Sequence, residues 1–316
     1  MKKFAGLLLS LLLAAGVLAG CGSAEAPAQQ QKQEKTAEAF PAEVKDASGK
    51  EIKIEKEPQK IVSLMPSNTE ITYALGLGKK VVGVTDFDTY PKEVKDVEKI
   101  GGMEFNTEKI ISLNPDLVLA HASSMQSAEE GLKQLRDAGI PVVTVNDATS
   151  FEETYQSINM IGEATGAKQE AGDLVKSMKS DLAAIKEKAE RISESEQKKV
   201  FVEVSPAPDI YTTGKGTFMN EMLEAIHAKN AASEQEGWAK MTEESIVKLN
   251  PDVIVTTNGA TSVDEIKKRS GWSNVKAIQN NEVYDVDPDL VTRPGPRLIK
   301  GVEELAENIY PDVFKK

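Results

Sequence analysis

Between Val44 and Ile54, apolar and polar residues alternate on either side of a Ser48-Gly49 pair, which predicts a β-hairpin. Beyond it, short β-rich runs at 61–64, 81–84, 117–120 and 142–145 alternate with helical patterns at 68–75, 108–113 and 128–138. The first of these helices opens at a Ser67/Asn68 cap and stops at Gly76. Strand-helix alternation of this kind means a parallel sheet covered by helices. The rhythm then breaks. Residues 151–164 read as helix, and after Gly166 the apolar positions Leu174, Met178, Leu182, Ile185, Ala189 and Ile192 recur at three- and four-residue steps. They predict one helix over 169–193, about 37 Å long at 1.5 Å rise per residue. Alternation restarts with strands at 200–204, 253–256 and 283–286 and helices at 218–227, 243–249 and 297–310.

The two alternating stretches also share a unit. Glu108 to Val118 matches Glu244 to Ile254 at a constant offset of 136, each copy a helix, an Asn-Pro-Asp turn and a strand. Proline ends the helix and aspartate helps make the turn. The expected fold is therefore α/β: two Rossmann-like lobes with mainly parallel sheets, joined by a single long rigid helix, with a ligand cleft between the lobes. The expected segments are 1–20 as a signal peptide, 21–40 as a flexible tether, 41–150 and 196–316 as the lobes, and 151–195 as the helical connector.

The N-terminus adds an address. Lys2 and Lys3 precede an uncharged apolar run of 15 residues, Phe4 to Leu18. It is too short for a spanning helix, which needs about 20 residues, and suits a signal peptide. Residues 22–40 are rich in Gln, Ala, Lys and Glu and read as a disordered spacer. The chain has 316 residues and a formal charge of −12, which argues against a nucleic-acid binder. Two histidines and one cysteine exclude zinc ribbons, Cys-His nucleophiles and disulfide scaffolds. Gly214-Lys215-Gly216-Thr217 lacks the spacing of a phosphate loop. Asp285-x-Asp287-x-Asp289 continues with Leu290 and Pro296 where a calcium loop needs Gly and Glu. No enzyme activity, metal site or resident cofactor is expected.

Leu18-Ala19-Gly20-Cys21 resembles a bacterial lipobox. That implies cleavage before Cys21, acylation of its sulfur and new amine, and an extracytoplasmic protein lipid-anchored to the cell membrane. The segment from Val44 through Gly49 to Pro58, the run Ile61-Val62-Ser63-Leu64-Met65-Pro66-Ser67-Asn68-Thr69-Glu70, the two Leu-Asn-Pro-Asp turns and Thr292-Arg293-Pro294-Gly295-Pro296-Arg297 carry a wider likeness. Over roughly Val44 to Val313 the chain resembles the periplasmic-binding-protein-like substrate-binding lipoproteins of ABC importers for cobalamin and ferric siderophores. The resemblance implies a monomer with little hinge closure and no catalysis. It would deliver a corrinoid or ferric siderophore to a permease homodimer and its ATPase subunits. Two other readings stand beside it: a zinc or manganese importer's binding lipoprotein, and an extracellular hydrolase.

By matched position, the resemblance places Phe87, Trp238, Asp289 and Arg293 at the ligand. The positions matching two further tryptophans are Gly102 and His121, and another aromatic position is Val204, so ligand identity stays open. His121 should sit at the C-terminal end of its strand, facing the cleft mouth. It reads first as a solvent-facing loop histidine and second as a ligand contact, since one imidazole alone makes no metal site. Glu108 and Glu244 occupy equivalent positions near helix N-termini, where an acid is favourable in any case. The resemblance gives them a further role, one acid per lobe docking onto a two-fold permease.

Overall fold

The computed structural model describes residues 39–315; the expected signal peptide, most of the tether and Cys21 lie outside the described residues. The predicted hairpin pairs Ala42–Lys45 with Glu51–Ile54 antiparallel. Its turn is organised by Asp46, whose Oδ1 accepts the Ser48 amide at 2.9 Å and the Ser48 hydroxyl at 2.6 Å, and Gly49 takes the left-handed φ of 79° that closes it. The other Asp46 oxygen accepts the Thr144 amide at 3.1 Å, which ties the hairpin to the first sheet.

That sheet has five strands in the spatial order Glu98–Lys99, Val81–Val84, Ile61–Ser63, Leu117–His121, Val142–Val145, every pairing parallel. A second sheet has four parallel strands in the order Lys229–Asn230, Lys199–Glu203, Val253–Thr256, Val283–Asp285. A short antiparallel pair, Tyr211–Thr213 with Trp238–Lys240, accompanies the second sheet. The two-lobed α/β fold is thus as expected. The central strands are buried on both faces, as parallel strands under helices must be.

The repeated unit is the same in both lobes down to its hydrogen bonds. Asn106 and Thr242 cap the helices Thr107–Leu113 and Glu243–Leu249, and Asn114 and Asn250 end them at left-handed φ of 52° and 47°. Asp116 then accepts the Lys60 amide at 3.0 Å, and Asp252 accepts the Lys199 amide at 2.9 Å. Lys60 and Lys199 each return an ammonium to the last helical carbonyl, Leu113 O at 3.3 Å and Leu249 O at 3.1 Å.

Two helices connect the sheets, Phe151–Thr165 and Lys168–Ala189, turning at Gly166 (φ 78°) with Phe40 packed against the corner. The second has 22 residues and ends four residues short of the expected 193. It stops at Ala189 because Ser193 and Glu196 form a capping box that opens a separate short 3-10 turn at Glu194–Glu196. At about 33 Å it remains the longest described helix. Its stripe Ala171, Val175, Met178, Leu182, Ile185 and Ala189 is buried in a core continuous with Ile61 and Leu117 on one side and Val200, Val253 and Leu305 on the other. The connector is therefore a shared wall of one core, and residues Ala39–Lys316 form a single compact unit. No described helix is long and apolar enough to cross a membrane.

Candidate functional site

The carboxyl ends of both sets of parallel strands carry the loops that the expected site residues occupy. After Val84 the chain turns through Thr85–Tyr90. Asp88 Oδ2 accepts the Thr85 amide at 2.8 Å and its hydroxyl at 2.6 Å, and the Lys99 ammonium bonds the Thr85 and Asp88 carbonyls, both at 3.0 Å. A loop fixed at four points can hold an aromatic ring out in solvent: Phe87 is 50% exposed. Its ring lies over Gly102, where an added Cβ would stand 3.2 Å from the ring edge, so a larger residue at 102 would have to displace it.

The centre of the site is a buried carboxylate that no local pattern announces. Glu70, in the helix Pro66–Ala74, is 3% exposed. Arg297 grips it at both oxygens, Nε to Oε2 at 2.8 Å and Nη2 to Oε1 at 2.7 Å, and Arg293 Nη1 adds a contact to Oε1 at 3.2 Å. Arg293 Nη2 reaches Asp289 Oδ1 at 2.8 Å, and the Thr89 hydroxyl donates to Asp289 Oδ2 at 2.8 Å. The Phe87 carbonyl lies 3.4 Å from Arg293, and the Arg297 guanidinium stacks 3.9 Å above the Tyr90 ring, itself 42% exposed. Burial works against the Arg297 charge, but the hydrogen bonds and charge of Glu70, with Asp289 and Asp287 behind it, hold its pKa above the ordinary value. The network ties the 66–74 helix and 85–90 loop of the first lobe to residues 289–297 of the second.

Of the expected ligand residues, the structure brings together Phe87, Asp289 and Arg293. Trp238 stands on the short antiparallel pair, 46% exposed, with its ring edge-on to the buried Phe218 at 6.2 Å. Among the described residues no hydrogen bond or ion pair joins Trp238 to the arginine network. His121 corrects the expectation of a solvent-facing loop residue. It is the last residue of the strand Leu117–His121 and is buried, with Nδ1 2.8 Å from the Ser123 hydroxyl. Burial lowers its pKa, opposed by the charge of Asp147. Glu108 and Glu244 are both exposed at the second position of their helices. Glu244 pairs with Lys248 at 2.8 Å, and that hydrogen bond and charge lower its pKa. Glu70, Thr89, Tyr90 and Arg297 were not among the site residues named from sequence, although Glu70 and Arg297 close the two runs that carry the family likeness. Among the described residues, no three His, Cys, Asp or Glu side chains gather as a metal-binding group.

Two parallel-sheet lobes sharing one helical wall, with aromatic and arginine-bearing loops joining them, have the build of a solute-binding protein. The chain belongs to the periplasmic binding protein family, whose model matches residues 61–290. It is 65% identical over 318 residues, the whole of both chains, to YvrC of Bacillus subtilis (strain 168), described as an uncharacterized ABC transporter substrate-binding lipoprotein. It is 28% identical to the vitamin B12-binding protein of Vibrio parahaemolyticus over 79% of this chain and 89% of that one. Among solved structures, a possible iron-binding (periplasmic solute-binding) protein from Staphylococcus epidermidis superposes with a TM-score of 0.73 at 42% identity, over 81% of this chain and all of the other.

Proposed function

We propose that the protein is the substrate-binding lipoprotein of an ABC importer, tethered outside the cytoplasm through Cys21, and that it captures a corrinoid or ferric siderophore in the cleft between its lobes. The observation that carries the ligand class is the pair of half-exposed rings, Phe87 and Tyr90, on the loop beside Arg293, Arg297 and Asp289. A bulky, partly flat metal chelate with amides at its rim needs apolar faces and a few polar donors. Likeness to a vitamin B12-binding protein and to a possible iron-binding protein supports both ligands without choosing between them. Glu108 and Glu244, exposed at the same helix position in the two copies of one unit, suit docking to a two-fold permease.

Intrinsic fluorescence tests capture. Trp272 is buried at 1% exposure, whereas Trp238 is half exposed, so titration with cyanocobalamin or a ferric siderophore should change Trp238 emission. Trp238→Phe should remove that change and Trp272→Phe should keep it. If neither chelate alters the emission or the visible spectrum, the proposed ligand class is wrong. Docking is read separately. Reversing Glu108 and Glu244 to Lys together should abolish uptake in cells and leave affinity for the chelate unchanged; normal uptake would remove these residues from the permease interface.

A further inference from the structure

We propose that Glu70 and Asp289 hold the two arginines of the cleft electrically neutral, so that the site selects an amide-rich metal chelate of zero or small positive charge and rejects polyanionic chelates. The inference rests on the capture reading above and narrows it. Arg293 and Arg297 would by themselves make an anion-binding pair. In this structure each is already matched. Both Glu70 oxygens are taken by guanidinium N–H groups, at 2.8 Å and 2.7 Å from Arg297 and 3.2 Å from Arg293, and Asp289 faces Arg293 at 2.8 Å. Two positive and two negative groups leave no net charge to attract a carboxylate or catecholate.

Further carboxylates stand near these four groups, and the Lys99 ammonium nearby is committed to the Thr85 and Asp88 carbonyls. Asp86 adjoins Phe87, and Asp287 lies close enough to raise the Arg297 pKa. An anionic chelate entering here meets carboxylates whose own partners are committed, which is discrimination by an unfavourable pairing rather than by an attractive one. A neutral amide meets something different. A guanidinium carries five N–H donors, and those not taken by Glu70, Asp289, the Thr89 hydroxyl or the Phe87 carbonyl can still donate to an amide carbonyl without importing charge. Glu70 is buried inside the network, so it acts as a positioning residue: it aims both guanidinium groups and cancels their charge without touching the solute.

The test compares three probes on the full-length folded protein: cyanocobalamin, neutral overall; a cationic ferric trihydroxamate bearing a free amine; and a trianionic ferric tricatecholate. Wild type should bind cyanocobalamin or the trihydroxamate and bind the tricatecholate at least about tenfold more weakly. Glu70→Gln, which keeps the shape and removes the charge, should shift that ratio by about tenfold or more toward the anion. Asp289→Asn should shift it in the same direction; its side chain is 27% exposed, so it serves where Glu70→Gln does not fold. A merely structural role would weaken all three probes alike and leave their ratio unmoved, which overturns the inference. Wild-type preference for the tricatecholate overturns it too, while leaving the capture reading intact. Failure of all three probes on wild type removes the capture reading, and the inference with it.

Discussion

In the first lobe Asp116 takes the amides of Gln59 and Lys60 at the foot of the central strand; in the second, Asp252 takes the Lys199 amide and also the Lys276 ammonium at 3.0 Å. The frame is the same, and the lobes part company four residues further up the strand. Ile61 pairs with Leu117 and Val200 with Val253, so Leu64 and Glu203 hold equivalent register positions. Leu64 is buried among Ile100, Val118 and Leu132. Glu203, fully buried, is instead bound at both oxygens by Arg269, at 2.5 Å and 2.8 Å, and the guanidinium lies 4.8 Å from the Trp272 ring. A repeated skeleton therefore tolerates either an apolar interior or an ion pair at one point, provided each is internally complete.

The largest effect that can break this comparison is Glu203→Ala. It strands the Arg269 charge and should destabilise the protein by about 3 to 5 kcal/mol in denaturant unfolding. Glu203→Leu combined with Arg269→Leu copies the apolar solution of the first lobe and should recover most of that loss. If the double variant is as unstable as the single, the two interiors are not interchangeable. Next in size, Asp116→Ala and Asp252→Ala should each cost about 0.5 to 1.5 kcal/mol, because each removes the carboxylate acceptor of exposed amides at a strand start, which water can partly replace. Equal losses would show that the repeat is energetic as well as geometric, and a loss at one site alone would contradict it.

The smallest effect is a pH slope. His121 is buried and its pKa lies below the ordinary 6.5, so on acidification the unfolded chain takes up this proton before the native protein does. Stability should fall as pH drops through 6.5 toward the lowered native value, and rise again on neutralisation. His121→Gln should make the unfolding free energy flatter over that window. Parallel slopes for wild type and variant would remove His121 as the cause.

The alternating strands, the hairpin, the connector and the repeat were all legible, because each is a local period or a local turn chemistry. The helix at Pro66–Ala74 was read from a Ser67/Asn68 cap that the structure does not use: it opens at Met65 with Pro66 in its first turn, Asn68 lies inside it bonded to the Ala120 carbonyl, and nearly all of it is buried. The strands at Glu98–Lys99, Tyr211–Thr213, Lys229–Asn230 and Trp238–Lys240 went unread, since two or three residues cannot show a period of two. The arginine network escaped for another reason. Glu70 lies 223 and 227 residues from its partners, and such a pairing has no local signature. An acidic residue inside a mostly buried helix was the one local hint, since such a charge must find a partner. His121 was misjudged because the strand runs one residue further than its apolar run, carrying the imidazole inside.

The core that runs through the connecting helix also sets an order of events for a chain that is made N-terminus first. Its contributors include Val44, near the start of the described residues, and Leu298, Val302, Leu305 and Ile309 in the last long helix. The first sheet can therefore assemble while the stripe from Ala171 to Ala189 still lacks its C-terminal cover. Until residue 309 emerges, a row of apolar side chains on the longest described helix faces water, and that interval is when the nascent protein is most open to aggregation or to a holdase.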